Sequence, residues 1–371
     1  MSDNKLSQEN KISNDAVEGP IVISDKAIKP IPELKGATNQ KIEWIVVLRA
    51  IACMAVVMNH VIGCCIVSPN SVGSLLNKIF LYPFCLFAVP VFIMISGCLL
   101  LNPKREVSLK KIISYMLRIM CLGALFGFIY CLSSNLYSLN FKNFFDFVTK
   151  LPKVIFQSCK DLILNDGSHL WYLVILIGLY ILTPVLRIFV NHADKKTALF
   201  VLLLLFVTTC VIPTINDYFN IYIFTFANVD KFVFIYLVGY YLAYTDLIKD
   251  KYIYICGIIG VIFFVIACCF NVSDQLDMFM ILESMMIFKM FSSGKLKIKN
   301  NKIINCISKY SLGIYLIHPF WLELLLNLKI DIIIFPTIVA EFIFFLYAMI
   351  MSLLTSMILY RLPLIKKLFV K

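Results

Sequence analysis

Ten long apolar runs, separated by short polar breaks, organise this chain of 371 residues. A helix needs about 20 mostly apolar residues to cross a hydrocarbon core of ~30 Å. The runs over 44–66, 79–101, 112–132, 170–190, 197–215, 228–245, 252–270, 276–291, 310–328 and 332–360 therefore predict ten spanning helices. Asp230 and Lys231 crowd the start of the sixth. The tenth is longer than a bilayer requires and should tilt or protrude. The runs are continuous rather than alternating, which excludes a transmembrane β-barrel. Residues 1–41 hold no apolar core; this segment is not a cleavable signal peptide and reads as a disordered tail. One long break, 133–169, mixes aromatic residues with charges around 140–147 and suits a short amphipathic helix in the interface. No internal repeat or low-complexity segment interrupts the pattern. The expected organisation is a polar tail (1–41), a transmembrane domain (42–361) and a basic end (362–371).

Composition agrees. The chain is 61% hydrophobic and 15% charged, too apolar for a soluble domain. The fold class expected is all-α, a polytopic membrane helix bundle. The net charge of +12 would suit a nucleic-acid binder, but the basic residues lie in short loops, where membrane topology explains them. With the N-terminus inside, 23 of the 34 lysines and arginines fall on the inner side and 7 in outer loops. Arg49, Arg118, Arg187 and Lys289 remain inside runs. This asymmetry predicts both termini in the cytoplasm. The 13 cysteines form no Cys-x-x-Cys pair and nearly all lie in apolar runs. They read as small hydrophobes, with no metal site and no disulfide framework.

Charged groups in a bilayer are costly and usually face a bundle interior or a wet cavity. Arg49 and His60 lie eleven residues apart in the first run, which puts them on one helix face, ~16 Å apart along the axis. One reading has Arg49 snorkelling to headgroups and His60 packing. The other has histidine as a general base and arginine holding phosphates. The shared face favours the second, because a lipid-facing stripe would not carry both. His318 precedes Pro319 in the ninth run; it is either a packing residue or a histidine aimed into a cavity by a proline kink. His169 opens the fourth run beside Trp171 and Tyr172, which look like interfacial anchors. It is either a polar cap at the outer rim or a group that helps hold an acceptor. Glu283 and Lys289 are candidates to pair within the eighth run, and Glu323 and Glu341 are further intramembrane charges. Lys104, Arg105, Lys110 and Lys111 make the densest inner loop, which topology explains and a phosphate would also seek. No phosphate-cradling glycine loop, His-Glu-x-x-His or Gly-x-Ser-x-Gly occurs.

These residues resemble the acyltransferase 3 family of integral membrane acyltransferases over roughly 42–360. The resemblance rests on Arg49-x10-His60 with Arg-Ala-Ile-Ala at its start and on Pro90-Val-Phe-Ile-Met-Ile-Ser-Gly97. It continues with His169-Leu-Trp-Tyr-Leu, Phe234-Ile-Tyr-Leu-Val-Gly-Tyr-Tyr-Leu and Tyr310-Ser-Leu-Gly-Ile-Tyr-Leu-Ile-His-Pro319. It implies transfer of an acyl group, usually acetyl, from cytoplasmic acetyl-CoA to a surface or exported glycan, with no permanently bound cofactor. By that likeness His60 is catalytic, Arg49 serves the donor, and the setting is a bacterial cell membrane. With it, His318 is a second catalytic candidate. Arg118, Lys104 and Arg105 join Arg49 as candidate acyl-CoA ligands, and His169, Trp171 and Tyr172 are acceptor-side candidates. The chain departs from the family at Val46-Val47, where many members have Asp-Gly, and at Tyr115, where a second arginine often accompanies the one at Arg118. Some members carry an extracytoplasmic hydrolase-like domain; this chain is expected to be the stand-alone type. Two other readings stand: a transporter or exporter of a glycan or acylated intermediate, and a non-catalytic membrane sensor or scaffold. The acceptor's identity is open.

Overall fold

A computed structural model describes residues 43–64, 81–137, 144–164, 169–221, 230–270, 277–327 and 337–369. The expected tail lies outside them. Among the described residues the helices are α1 (Glu43–Cys64), α2 (Pro83–Leu86), α3 (Ala88–Leu100), α4 (Leu109–Tyr137), α5 (Phe144–Leu164), α6 (Trp171–His192) and α7 (Lys195–Phe206). They continue with α8 (Ile212–Phe219), α9 (Lys231–Tyr244), α10 (Asp250–Cys269), α11 (Asp277–Ser292), α12 (Lys302–Asn327), α13 (Thr337–Leu359) and α14 (Pro363–Phe369). No strand occurs among these residues. Among the described residues seven segments are long and apolar enough to cross a membrane: Glu43–Gly63, Pro83–Leu100, Leu109–Leu136, Trp171–His192, Lys195–Phe219, Asp250–Cys269 and Ile338–Leu359. The chain is an all-α, multi-pass membrane protein. The other three predicted stretches also carry helices, α9, α11 and α12.

The helix α1 organises the bundle because two of its faces are buried at once. Ile45, Leu48, Ala52 and Val56 join one apolar cluster with α3, α6, α9 and α11. Ala50, Cys53, Val57 and Val61 join a second with α12 and α13. At about 100° per residue, Arg49 and His60 fall in the seam between these faces. No lipid-facing stripe is available to them.

The helix α9 explains the odd sixth run. Asp230 stands as its N-cap, its carboxylate accepting from the Phe232 amide at 3.3 Å, so the helix begins at Lys231. Its 14 residues reach only ~21 Å. Every residue from Phe234 to Leu242 is buried, so neighbouring helices, not lipid, enclose it. Against α3 the fit leaves no slack: a Cβ on Gly97 would strike the Tyr236 backbone, and one on Gly239 the Met94 backbone. Small residues allow such backbone approach between membrane helices. Polar pins hold α9 to α11 at both ends. Lys231 pairs with Asp277 at one end. At the other, Lys289 donates to the Leu242 carbonyl at 3.0 Å and meets Asp250 at 3.2 Å. The expected Glu283–Lys289 pair is therefore absent: Lys289 is satisfied by α9 and α10, and both Glu283 carboxyl oxygens are buried without a hydrogen-bond partner.

Two peripheral elements differ from expectation. The interfacial helix expected around 140–147 is described from Phe144 to Leu164. It packs Val154 and Ser158 inward, with Asn135 of α4 donating to the Ser158 hydroxyl at 3.3 Å, and leaves Phe156 exposed. The expected basic end begins as helix α14, whose Phe369 ring stacks on Tyr360 at 4.5 Å and meets Phe126 at 6.4 Å.

The α3–α9 contact yields a prediction. Gly97→Ala forces two backbones apart and should lower stability by about 1–3 kcal/mol, the usual cost of overpacking. Gly178→Ala, where a Cβ meets nothing within 4 Å, should be neutral or slightly stabilising. Thermal unfolding of the two purified variants in detergent checks the difference.

Candidate functional site

Three of the four histidines in the chain, far apart in sequence, converge at one end of the α1 seam. The His60 and His318 rings stack at 4.8 Å, 12° from parallel. His169 meets His318 edge-on at 6.2 Å. His318 is fully buried. Its Nδ1 lies 3.0 Å from the Ile314 carbonyl and so carries the proton, which leaves Nε2 as a bare acceptor. Pro319 contributes by lacking an N–H: the Tyr315 carbonyl loses its helical donor and lies against the His318 ring instead.

Tyrosines fix the neighbouring groups. Tyr130 donates to the Leu316 carbonyl at 2.7 Å and sets its ring edge-on to His169 at 4.6 Å. Tyr315 donates to the His169 carbonyl, tying the turn before α6 to α12. The His169 ring hydrogen-bonds the Leu316 carbonyl, while its Nε2 is buried without a partner. His60 opens into a cleft of about 460 Å³ lined also by Asn59, Gly63, Tyr82, His169 and Glu323.

Arg49 occupies the other end of the seam. It is partly buried, and its charge neighbours are the hydroxyls of Tyr172, Tyr180 and Tyr360. Tyr172 is thus not the rim anchor expected: it is buried in the core, 5.5 Å from the Tyr315 ring and 6.4 Å from Phe92. Trp171 beside it is exposed and tilts against Phe232 at 6.0 Å, as a rim residue would. A file of rings, Tyr172, Tyr315, His318 and His60, joins the two ends of the seam.

The remaining candidate cations separate into two places. Lys104 and Arg105 are exposed on the loop after α3. Arg187 holds that loop: its guanidinium donates to the carbonyls of Leu100 at 2.5 Å, Asn102 at 3.1 Å and Arg105 at 2.9 Å. Arg187 was legible only as an intramembrane charge, and its role as a staple appears with the fold. Arg118 lies with Lys110, Ser114 and Leu368 along a groove of about 310 Å³ on the outside of α4. From the same helix Tyr115 meets the ring of Tyr180, a neighbour of Arg49, at 6.3 Å. Asn59, Tyr82, Tyr130 and Tyr315 escaped sequence reasoning; only the adjacency of Asn59 to His60 and the three-residue step from Tyr315 to His318 hinted at them.

Residues 42–361 match the family model described as an acyltransferase domain, that of the acyltransferase 3 family. No curated protein and no solved structure matches the chain. The match covers most of the sequence, and the chain belongs to the acyltransferase 3 family.

The burial pattern orders histidine reactivity. With diethyl pyrocarbonate on the folded protein, His192, exposed on α6, and His60, at the cleft, should be carbethoxylated well before His318, which has no exposed surface. Peptide mass analysis over a time course measures the order.

Proposed function

We propose that this acyltransferase 3 family member moves an acyl group, acetyl in the simplest case, from cytoplasmic acyl-CoA to a hydroxyl of a cell-envelope or exported carbohydrate. The observation that carries the reading is the shared seam of α1. It holds a histidine at the mouth of a cleft, backed by two more histidines, and a sheltered arginine ~16 Å away along the same face. The excess of lysine and arginine in alternate loops supports a cytoplasmic Arg49 end, ten crossings and both termini inside. We read the setting as a bacterial cytoplasmic membrane.

In this reading Arg49 draws the donor by a phosphate or carbonyl oxygen, and the exposed Lys104 and Arg105 raise the local concentration of the anionic nucleotide. Arg118, on the outside of α4, acts at longer range. The thioester then has to come level with His60. The acceptor hydroxyl gives its proton to an imidazole nitrogen of His60 as its oxygen attacks the thioester carbonyl carbon. The tetrahedral adduct collapses, the carbon–sulfur bond breaks, and the CoA thiolate leaves, recovering the proton from the imidazolium. The ester product departs through the cleft. Acyl-CoA is a co-substrate in this scheme, and no resident cofactor takes part. His318 is a positioning residue: its stacked ring holds the plane of His60. His169 and Trp171 border the acceptor side.

The test is transfer of radiolabelled acetyl from acetyl-CoA to glycan by purified protein in nanodiscs. His60→Ala should lower the rate by about 10²–10⁴-fold, the usual worth of a general base, with the melting temperature nearly unchanged. Arg49→Gln should act chiefly on KM for the donor, by about tenfold or more, as loss of a hydrogen bond to a charged group predicts. A folded His60→Ala protein with full activity would remove the mechanism.

A further inference from the structure

The buried polar atoms left without a partner around the cleft at His60 are acceptors. Asn59 Oδ1 is buried with no partner. His169 Nε2 is likewise buried with no partner. Behind the His60 ring, His318 Nε2 is an acceptor, because Nδ1 carries the proton to the Ile314 carbonyl. Glu323 adds a carboxylate, and among the described lining residues it alone carries a formal charge. Buried acceptors are rarely left unpaired in native proteins, and each such group marks the place of a water, an ion or a ligand. Gly63, where a Cβ would meet nothing within 4 Å, keeps one side of the cleft open.

Such a lining suits a molecule that donates hydrogen bonds and repels one that accepts them with negative charge. We propose that the cleft docks a neutral or amine-bearing sugar, and that Glu323 is the specificity-determining residue that excludes glycans carrying a phosphate or carboxylate at the reacting unit. The identity of the bound sugar as an acyl acceptor rests on the acyltransferase reading above; the binding preference does not. A second negative charge held within ~6 Å of Glu323 in a half-shielded cleft should be disfavoured by roughly 10- to 100-fold.

The experiment compares three oligosaccharides of equal length: a neutral chito-oligosaccharide, its de-N-acetylated cationic form and an anionic oligogalacturonate. Binding to the full chain in nanodiscs is measured by thermophoresis, alongside acetyl transfer from acetyl-CoA. The wild type should bind the first two at least tenfold more tightly than the third. Glu323→Gln should narrow that gap, Glu323→Lys should reverse it, and Glu323→Asp, which keeps the charge, should retain the wild-type order. Equal binding of all three, binding of none, or an order that Glu323→Lys leaves unchanged would overturn the proposal. So would loss of the order in Glu323→Asp, which would mean that shape rather than charge selects. The expected binding order without acetyl transfer to any sugar would sink the acyltransferase reading and leave the chemistry of the cleft standing.

Discussion

A polar side chain inside a hydrocarbon slab finds its partners in protein or goes without, and the arrangement of this bundle follows from that rule. The helix α1 carries a guanidinium and an imidazole among apolar residues. The bundle shelters both by burying α1 on two faces at once. The seam left between the two clusters is narrow, runs lengthwise and is lined by groups from α6, α12 and the segment after α13: Tyr172, Tyr180, Tyr315, His318 and Tyr360. The same rule accounts for the caps and pins elsewhere. Arg187 spends its donors on carbonyls after α3, and Lys289 spends its charge on Asp250 and a carbonyl of α9.

Much of this was legible beforehand because apolar runs, positive loops and a shared helix face are properties of local sequence. The helices stand over the predicted stretches, and His60 and Arg49 share the seam as their spacing required. What was not legible depends on partners from elsewhere in the chain. Tyr172 follows a tryptophan at the start of an apolar run, which is how an interfacial belt reads; only the packing of α6 against α3 turns it inward. Glu283 and Lys289 looked like a pair because they share a short helix, yet Lys289 had a better carboxylate on α10. The gathering of His60, His169 and His318 has no counterpart in sequence spacing. It appears once α12 packs along α1 and the turn before α6 is tied to α12 through Tyr315.

The two ends of the seam have different chemical characters. One pairs a cation with phenol hydroxyls and lies near a loop of exposed lysine and arginine. The other is a cleft with buried unpaired acceptors and, among its described lining residues, one carboxylate. In the proposed reaction the first end meets an anionic donor and the second a sugar, and the carboxylate at the second end disfavours the anionic donor there. The rings between them fill the space that a thioester arm would have to share. In that scheme the arm would pass the Tyr172 and Tyr315 rings, while the α3–α9 contact, which has no slack, serves as the frame.

The hydrogen bonds of the buried histidines also bear on how the membrane keeps its voltage. A chain of imidazoles conducts protons when each ring can take one on one nitrogen and release it from the other. Here His318 spends Nδ1 on the Ile314 carbonyl and His169 hydrogen-bonds the Leu316 carbonyl, and an amide oxygen does not accept a proton at neutral pH. His318 therefore offers a proton no onward carrier through Nδ1. In the proposed reaction a proton taken up by His60 would return to the cleft rather than pass through His318 Nδ1.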